Sequence, residues 1–388
     1  MKKFNKIISA PDIYTQWQKY FYASLLLGTM TIGSACSNNN VDPAQTSSSA
    51  NEISAPANET VVLTDFVDRL VIPTYQELIA KSTQLEQAVA TFVKTPNEQN
   101  LEAAQSAWQA TRTPWEQGEA FAFGPAESLG YDANLDDWPV NQTDVTGLIK
   151  SQEKLDQNYV ETKLQSTQKG FHTIEYFLFG ENNNRQANEL SKRELELLQL
   201  LTTDFHKTAE ALKESWVVGV DGQPAFREVF TTAGNSSNTT YPTVEAALTE
   251  IVSGIVGCVE EVGEVKIGKP IETKQDLDFE SRFSHNSLTD FKNNLISARN
   301  AYMGEVKDTE GQGVSDLVAK KDPALDREIR TQLDTALKAL DTVPAPVETK
   351  LSDAAALEKL KTAQSELLTT YQTIQEKVIP LFAESTGS

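Results

Sequence analysis

The apolar residues of this chain recur at helical spacing from Val61 onward. Leu63, Phe66 and Leu70 share one stripe, and a second stripe follows Pro73, a residue that should kink or break the helix. Further amphipathic stretches cover residues 243–265, 287–303, 325–340 and 352–378. No convincing run alternates between apolar and polar positions as a half-buried strand does. The pattern predicts an all-α fold.

Two helix starts and one helix end carry recognisable signals. Thr95 followed by Pro96 and Glu98 predicts a capping box with proline at the first helical position. Ser191 and Glu194 repeat the capping box before a leucine-rich stretch. Gly180 supplies a stop for the helix before it, because glycine accepts the left-handed conformation that commonly ends a helix.

The helical stretches fall into two blocks, each predicted to be a helical-bundle domain. The first covers residues 61–265 and the second 282–388, and residues 266–281 form a linker in which Gly268 and Pro270 interrupt the periodicity. Residues 84–92 and 332–340 share a similar pattern, which a duplicated helical hairpin would explain. Any two amphipathic helices share such a pattern as well, so duplication stays open.

The N-terminal residues predict an export signal. Four lysines precede the apolar run 21–30, which ends in small residues before Cys36: Lys2, Lys3, Lys6 and Lys19. Residues 1–35 are therefore predicted to be a signal peptide, with lipidation of Cys36; simple cleavage and an uncleaved anchor are the alternatives. Residues 36–60, poor in large apolar side chains, predict a flexible tether. The predicted location is the periplasmic side of the cell envelope, with the protein anchored to a membrane.

Charge and residue counts narrow the function classes. The chain has 34 Lys and Arg against 55 Asp and Glu, a net charge of −21, and removal of the signal takes away four lysines and one aspartate, which leaves −24. Such a chain repels phosphate backbones, which excludes a nucleic-acid partner. Two cysteines cannot build a disulfide scaffold or a cysteine-based zinc module. Any metal site must use carboxylates and His172, His206 or His285.

The segment around His172 is the most specific in the sequence. His172 and Glu175 are three residues apart, so on a helix they share a face and can reach one cation. The same Glu/His spacing serves metal sites inside helical bundles. A histidine flanked by aromatic residues can equally be a hydrogen-bonded core residue, and the spacing alone does not decide between the two.

A second cluster bears on that choice. Arg112, Glu116 and Glu119 lie on one helical face beside aromatic residues, where buried carboxylates need a cation. Arg112 can be that cation; if this face meets His172 instead, the donors form a carboxylate-rich site suited to Fe, Mn or Zn. The acidic residues that follow are either extra ligands or a solvated loop: Glu127, Asp132, Asp136 and Asp137.

Several motifs resemble those of the imelysin-like proteins. Residues 170–176 (GFHTIEY) resemble the family's G-x-H-x-x-E signature, and residues 108–124 resemble its first motif. Asp137-Trp138-Pro139 is similar to the next motif, and 282–304 to the C-terminal one. The resemblance covers the chain from Val61 to its end with the motifs in the family's order, and it extends to iron-regulated members found in cyanobacteria.

This resemblance implies two helical domains, a metal site near their interface and an envelope role in iron acquisition under iron limitation. It carries His172, Glu175 and Glu119 over as metal ligands; Glu116 lies at a position without a firm family requirement and is a weaker ligand candidate. Arg112, Ser284 and Asp290 are carried over as residues that bind the cargo; His285 is another weaker candidate. The implied cargo is iron, zinc or an iron complex, haem included, and the implied partners are envelope iron-transport components.

Two other function classes stay open at this point. Some imelysin-like proteins have been described as peptidases, but the H-E-x-x-H spacing of zinc peptidases and the G-x-S-x-G elbow are both absent from the sequence. A metal-dependent peptidase is therefore the first alternative. The second is a non-catalytic, protein-docking lipoprotein, because carboxylate clusters also form arginine-paired cores.

Overall fold

Residues 58–306 and 309–382 are the part of the chain that the computed structural model describes. The predicted signal peptide, the lipidation site Cys36 and most of the predicted tether lie outside these residues. Helix begins slightly earlier than predicted: Asn58 caps a helix that starts at Glu59, and the Asn58 side chain accepts a hydrogen bond from the Thr60 backbone N–H.

The first half of the described chain is helical. The α-helices are α1 (Glu59–Asp65), α2 (Ile72–Lys94), α3 (Glu98–Glu116), α4 (Pro125–Ser128), α5 (Tyr131–Asp136), α6 (Gln142–Lys150), α7 (Gln157–Lys163), α8 (Gly170–Phe179) and α9 (Lys192–Val217). A π-helix, Phe66–Val71, joins α1 to α2, and 3₁₀ turns lie at Glu119–Phe121, Ser166–Gln168 and Ala187–Glu189.

The second half is helical apart from one small hairpin. Its α-helices are α10 (Phe226–Thr231), α11 (Val244–Glu260), α12 (Lys269–Thr273), α13 (Ser287–Met303), α14 (Val314–Lys321), α15 (Pro323–Thr342), α16 (Ala354–Thr373) and α17 (Ile379–Phe382). The π-helices Glu261–Gly268 and Ile374–Val378 and the 3₁₀ turns Asp276–Asp278 and Val347–Thr349 complete the helical part. Strands β1 (Glu305–Val306) and β2 (Thr309–Glu310) pair antiparallel. The predicted all-α fold is confirmed.

Two predicted helix boundaries are wrong in detail. Pro73 does not break the helix: the π-helix Phe66–Val71 continues directly into α2, whose second residue is Pro73. The cap of α3 is Asn97 rather than Thr95: its backbone is extended, and its side chain accepts from the Asn100 N–H. The capping box at Ser191 is confirmed, and Gly180 ends α8 at a φ of 70°.

The predicted linker, residues 266–281, is partly helical. The π-helix after α11 runs through Gly268, and α12 continues to Thr273, so neither Gly268 nor Pro270 ends the helical path. Pro270, like Pro73, is the second residue after a π-helix, and the helix continues through it. Lys266, at the start of the predicted linker, is buried inside the protein.

Helices from both predicted blocks pack together. Helix α2 packs against α3 and α9, α15 packs against α16, and α13 contacts both α11 and α3. Contacts group the described residues, 58–306 and 309–382, into one compact unit. The division into two helical domains and their origin by duplication stay predictions. Within 58–306 and 309–382, no helix combines the length and apolarity that membrane crossing requires.

Candidate metal centre

The start of helix α8 is fixed by a close approach between two backbones. Gly170 has a φ of +74°, and a Cβ at this position would lie 2.4 Å from the backbone oxygen of Leu135. Only glycine lets α8 approach the end of α5 this closely. The approach places Asp136, the last residue of α5, beside the first turn of α8, with 3.1 Å between Asp136 Oδ1 and His172 Nε2.

His172 is buried and uses its two ring nitrogens differently. Nδ1 lies 2.9 Å from Glu175 Oε2, one helical turn later. Nε2 lies 3.1 Å from Asp136 Oδ1 and 3.8 Å from Glu280 Oε1. The Asp136 oxygen is close enough to pair with a protonated ring and the Glu280 oxygen is farther, and within the described part of the chain Nε2 makes no hydrogen bond of regular geometry. A cation bound at this nitrogen would replace its proton and face the same two carboxylates.

Arg112 lies at the centre of the surrounding carboxylates. Its guanidinium is fully buried and contacts Glu116 and Asp136; it also lies 3.1 Å from Glu280 Oε1 and 3.5 Å from Asp290 Oδ1. Burial disfavours the charged form, but the carboxylates outweigh burial and hold the pKa of Arg112 well above its usual value. Arg112 is a permanent cation in this cluster.

Lys266 is a second buried cation. Its Nζ lies 3.2 Å from Glu280 Oε2, 3.6 Å from Glu116 Oε2 and 3.9 Å from Glu119 Oε2, and it donates to the side-chain oxygen of Asn294 at 3.2 Å. Burial lowers and the glutamates raise the pKa of Lys266, which ends well above its usual value. The glutamates around it therefore face a fixed positive charge.

Two sets of side chains have donor atoms close enough to hold one metal ion. The histidine group consists of Asp136, His172 and Glu280, and the arginine group of Glu116, Glu280 and Asp290; within each group the donor atoms lie within 4.8 Å of one another. Glu280 belongs to both groups. Arg112 contacts every carboxylate of the arginine group, so its guanidinium serves as the cation there.

The carboxyl pKa values divide into two classes. Burial favours the neutral form of Asp136 and Glu280, but neighbouring cations outweigh burial and lower both pKa values. The cations beside Asp136 are Arg112 and His172, and those beside Glu280 are Lys266 and Arg112. Burial prevails at the other two positions and raises the pKa of Glu116 to about 8 and that of Asp290 to about 6. The acids nearest His172 are ionised and suited to bind a cation.

The protonation of His172 follows from these charges. Burial disfavours the imidazolium, but Asp136, Glu175 and Glu280 outweigh burial and hold the pKa of His172 well above its usual value. Without a metal, a proton on Nε2 helps to balance the carboxylates. A metal ion bound at Nε2 would take the place of that proton.

Comparison with known proteins identifies the family. The imelysin family model, also named peptidase M75, matches residues 71–374. The chain belongs to the imelysin family. It is 38% identical over 317 residues to Iron-regulated protein A of Synechococcus elongatus, an alignment that covers 81% of this chain and 85% of that protein.

Two crystal structures share the imelysin fold of this chain. One, from Parabacteroides distasonis, is provisionally described as an iron-regulated protein A precursor. It is 27% identical to this chain, with a TM-score of 0.72, and the match covers 82% of this chain and 94% of that one. The other is an imelysin-like protein from Psychrobacter arcticum, 15% identical with a TM-score of 0.64. The match covers 85% of this chain and 97% of that one. The second likeness concerns the fold alone.

Residues of the family's C-terminal motif surround the same cluster. Ser284 donates from both its backbone N and its Oγ to Glu175 Oε1, at 2.7 Å each. Asp290 accepts hydrogen bonds from Ser281 Oγ at 2.5 Å and from the Asn286 side chain at 2.8 Å. This segment therefore completes the hydrogen bonding of two buried carboxylates.

The other predicted site residues lie farther out or on other partners. Glu119 contacts Lys266 and Glu261, and Asp137 accepts from Ser166 Oγ. His285 lines an open groove of about 580 Å³ together with Arg282 and Glu348. His206 Nδ1 lies 2.9 Å from Ser82 Oγ, and His206 belongs to neither of the two groups of possible metal ligands.

Sequence reasoning missed Glu280 and Lys266. Both lie at the edges of the predicted linker, where the interrupted periodicity suggested exposed chain. A signal was present at Glu280, which lies among residues 279–283 with a phenylalanine at each end; Phe279 and Phe283 are both buried. A charged residue flanked by such aromatics is unfavourable unless it is paired.

Proposed function

We propose that this imelysin family member binds one metal ion, iron or zinc, at the histidine group. The observation that carries the proposal is the convergence of Asp136, His172 Nε2 and Glu280 within 4.8 Å, with Nε2 making no hydrogen bond among the described residues. Two ionised carboxylates and one imidazole form the borderline-hard donor set that suits Fe, Mn and Zn.

The charge of the surroundings supports a bound cation. Burial raises the pKa values of Glu119 and Glu261 and brings that of Asp132 to about 7, so acids near the cluster are held partly as neutral groups in the metal-free protein. A bound metal ion would supply the positive charge that protons supply in the metal-free protein. The net charge of −21 adds long-range attraction for any cation that approaches.

A bare ion fits this site better than haem does. An axial histidine of haem needs an apolar slot beside its free nitrogen, which the porphyrin ring fills. Nε2 of His172 instead faces Asp136 and Glu280 at 3.1 and 3.8 Å. The site thus offers further ligands to an ion rather than room for a macrocycle.

We assign the protein a role in iron acquisition at the cell envelope. Its 38% identity to Iron-regulated protein A of Synechococcus elongatus supports an iron-related role. The signal-like N-terminus with Cys36 supports a lipid anchor that would hold the protein on the periplasmic side of a membrane. In this role the metal ion is the cargo, and envelope iron-transport components are the proposed partners.

Burial of the site favours binding over peptide hydrolysis. A metallopeptidase needs an open metal position that a peptide and a water molecule can reach. His172 is only 1% exposed, and Glu280 is 4% exposed. A peptide bond cannot reach a metal ion at these residues without a large opening of the protein.

Metal titration of the full chain tests the proposal. Wild type should bind about one Fe²⁺ or Zn²⁺ per chain in calorimetry, and His172→Ala should lose this binding while its circular dichroism is unchanged. His206→Ala is the matched control, because its ring lies outside the cluster, and it should bind as wild type does.

Equal affinity of wild type and His172→Ala would contradict the site and favour a purely structural, protein-docking role. The metal-loaded wild type should also leave denatured proteins and peptide libraries intact at neutral and mildly acidic pH. Cleavage that is lost in His172→Ala would instead establish the peptidase alternative.

A further inference from the structure

The two oxygens of Glu175 have separate partners. Oε2 faces His172 Nδ1 at 2.9 Å, and Oε1 accepts two hydrogen bonds from Ser284, at 2.7 Å each. Glu175 and Ser284 are both buried. We propose that Glu175 is a positioning residue rather than a metal ligand: held in place by Ser284, it directs His172 Nε2 towards Asp136 and Glu280. This inference rests on the proposed metal binding.

The shape of the imidazole ring separates Glu175 from the metal position. Nδ1 and Nε2 point in different directions, so a metal ion bound to Nε2 lies across the ring from a carboxylate bound to Nδ1. For Glu175 to reach that ion, it would have to leave both His172 and Ser284. A histidine that binds a metal almost always donates its other N–H to a carboxylate, a carbonyl or water, which fixes its tautomer and orientation. Glu175 meets that requirement.

Ser284 reaches the site from the second predicted block. It is 109 residues from Glu175 in sequence and gives Glu175 Oε1 one backbone and one side-chain hydrogen bond. These bonds hold one oxygen of the carboxylate and leave the other for His172. Orientation of the metal-binding histidine therefore depends on the segment around Ser284, which donates to no atom of the histidine group itself.

The chain contains a close control for Ser284. Ser281 is also buried, lies three residues earlier, and donates its Oγ to a buried carboxylate of the same cluster at 2.5 Å. That carboxylate is Asp290, which belongs to the arginine group and does not contact His172. Ser284→Ala and Ser281→Ala thus remove the same kind of hydrogen bond, but only the first removes support from Glu175.

Binding of Co²⁺ to the full chain tests the inference, because its visible absorption reports the ligand set and competition with a chelator gives the affinity. Glu175→Gln should keep one Co²⁺ per chain with the spectrum of wild type and bind about 10- to 100-fold more weakly, the usual effect of losing an outer-shell partner. Ser284→Ala should bind about tenfold more weakly with the same spectrum. Ser281→Ala should stay within about threefold of wild type, since its carboxylate does not orient His172.

A changed Co²⁺ spectrum in Glu175→Gln, or a loss of binding as complete as in His172→Ala, would show that Glu175 is a ligand and overturn the inference. Equal weakening by Ser284→Ala and Ser281→Ala would overturn it as well. If Glu175→Gln does not fold, Ser284→Ala with its control decides the matter. If wild type itself binds no Co²⁺, Fe²⁺ or Zn²⁺, the proposed function fails, and the inference fails with it.

Discussion

The histidine group and the arginine group share Glu280, and Arg112 contacts the carboxylates of both, but only the histidine group also contains an imidazole. In the arginine group the guanidinium of Arg112 contacts all three acids. In the histidine group the imidazole of His172 lies beside Asp136 and Glu280 without an aligned hydrogen bond at Nε2.

The difference lies in which cation can be exchanged. An arginine does not lose its proton in a protein, so the charge of Arg112 stays beside Glu116 and Asp290 at every pH. A histidine can give up its Nε2 proton to a metal ion. Arg112 therefore supplies a fixed charge to both groups, and only the histidine group offers a cation that a metal ion can replace.

Removal of the permanent cation should have the largest effect. Arg112→Gln leaves buried carboxylates without their charge partner and should lower the free energy of unfolding by about 3–5 kcal/mol, measured by urea denaturation of the metal-free protein. The control is Arg299→Gln, whose side chain is 34% exposed and pairs at 3.7 Å with Asp334; it should cost at most about 1 kcal/mol. Similar costs for both variants would refute the central role of Arg112.

Neutralising one acid of each group should separate the two groups in metal binding. Glu280→Gln removes a ligand of the histidine group and should weaken Zn²⁺ binding by about 100-fold or more, beyond the range usual for outer-shell changes. Asp290→Asn alters only the arginine group and should weaken Zn²⁺ binding by less than about tenfold. Calorimetric titration of both variants measures this contrast; the reverse order would place the metal ion in the arginine group.

The raised carboxyl pKa values predict how stability depends on pH. Between the ordinary value of 4.5 and about 8, folded Glu116 holds a proton that the unfolded chain has released. Its stabilising contribution is therefore complete below pH 4.5 and is lost as the pH rises through about 8. The stabilising contribution of Asp290, whose pKa is about 6, is also lost as the pH rises, but at a lower pH than that of Glu116. The metal-free protein should lose stability between pH 5.5 and 8.

Urea denaturation at several pH values in a chelator measures this slope. One proton corresponds to about 1.4 kcal/mol per pH unit, and Glu116→Gln should make the slope shallower by up to that amount because glutamine does not titrate. The pKa values of Asp136 and Glu280 are lowered. These two acids lose their stabilising contribution only when the pH falls below the ordinary carboxyl pKa, which lies below this window. A wild-type stability that rises from pH 5.5 to 8 would contradict the pKa directions assigned to the arginine group.

Glu119→Gln should have the smallest effect on metal binding. The sequence predicts this glutamate as a ligand, but its contacts are Lys266 at 3.9 Å and Glu261, and it belongs to neither group. We expect its Zn²⁺ affinity to stay within about threefold of wild type, below the usual effect of an outer-shell change. A loss comparable to that of Glu280→Gln would restore Glu119 to the ligand set and would move the metal position towards Lys266.

The sequence predicted the helices well where the signal is local. The helix predicted at 287–303 is observed as Ser287–Met303, and the capping box at Ser191 forms as expected. Prediction was weaker at prolines, because Pro73 and Pro270 each follow a π-helix and the helix continues through them. Prediction was weakest at residues 266–281. Gly268 interrupts the apolar pattern there, but the structure includes it in a π-helix.

By itself, the sequence determined the all-α fold and the pairs of site residues one helical turn apart: His172 with Glu175, and Arg112 with Glu116. These pairs follow from helix geometry, which places residues three and four apart on one face. Only the tertiary structure decided that Asp136 and Glu280 face both His172 and Arg112. Those contacts join residues 24 to 168 positions apart, and they depend on the close approach at Gly170 and on the packing of α13 against α3, which no local pattern specifies.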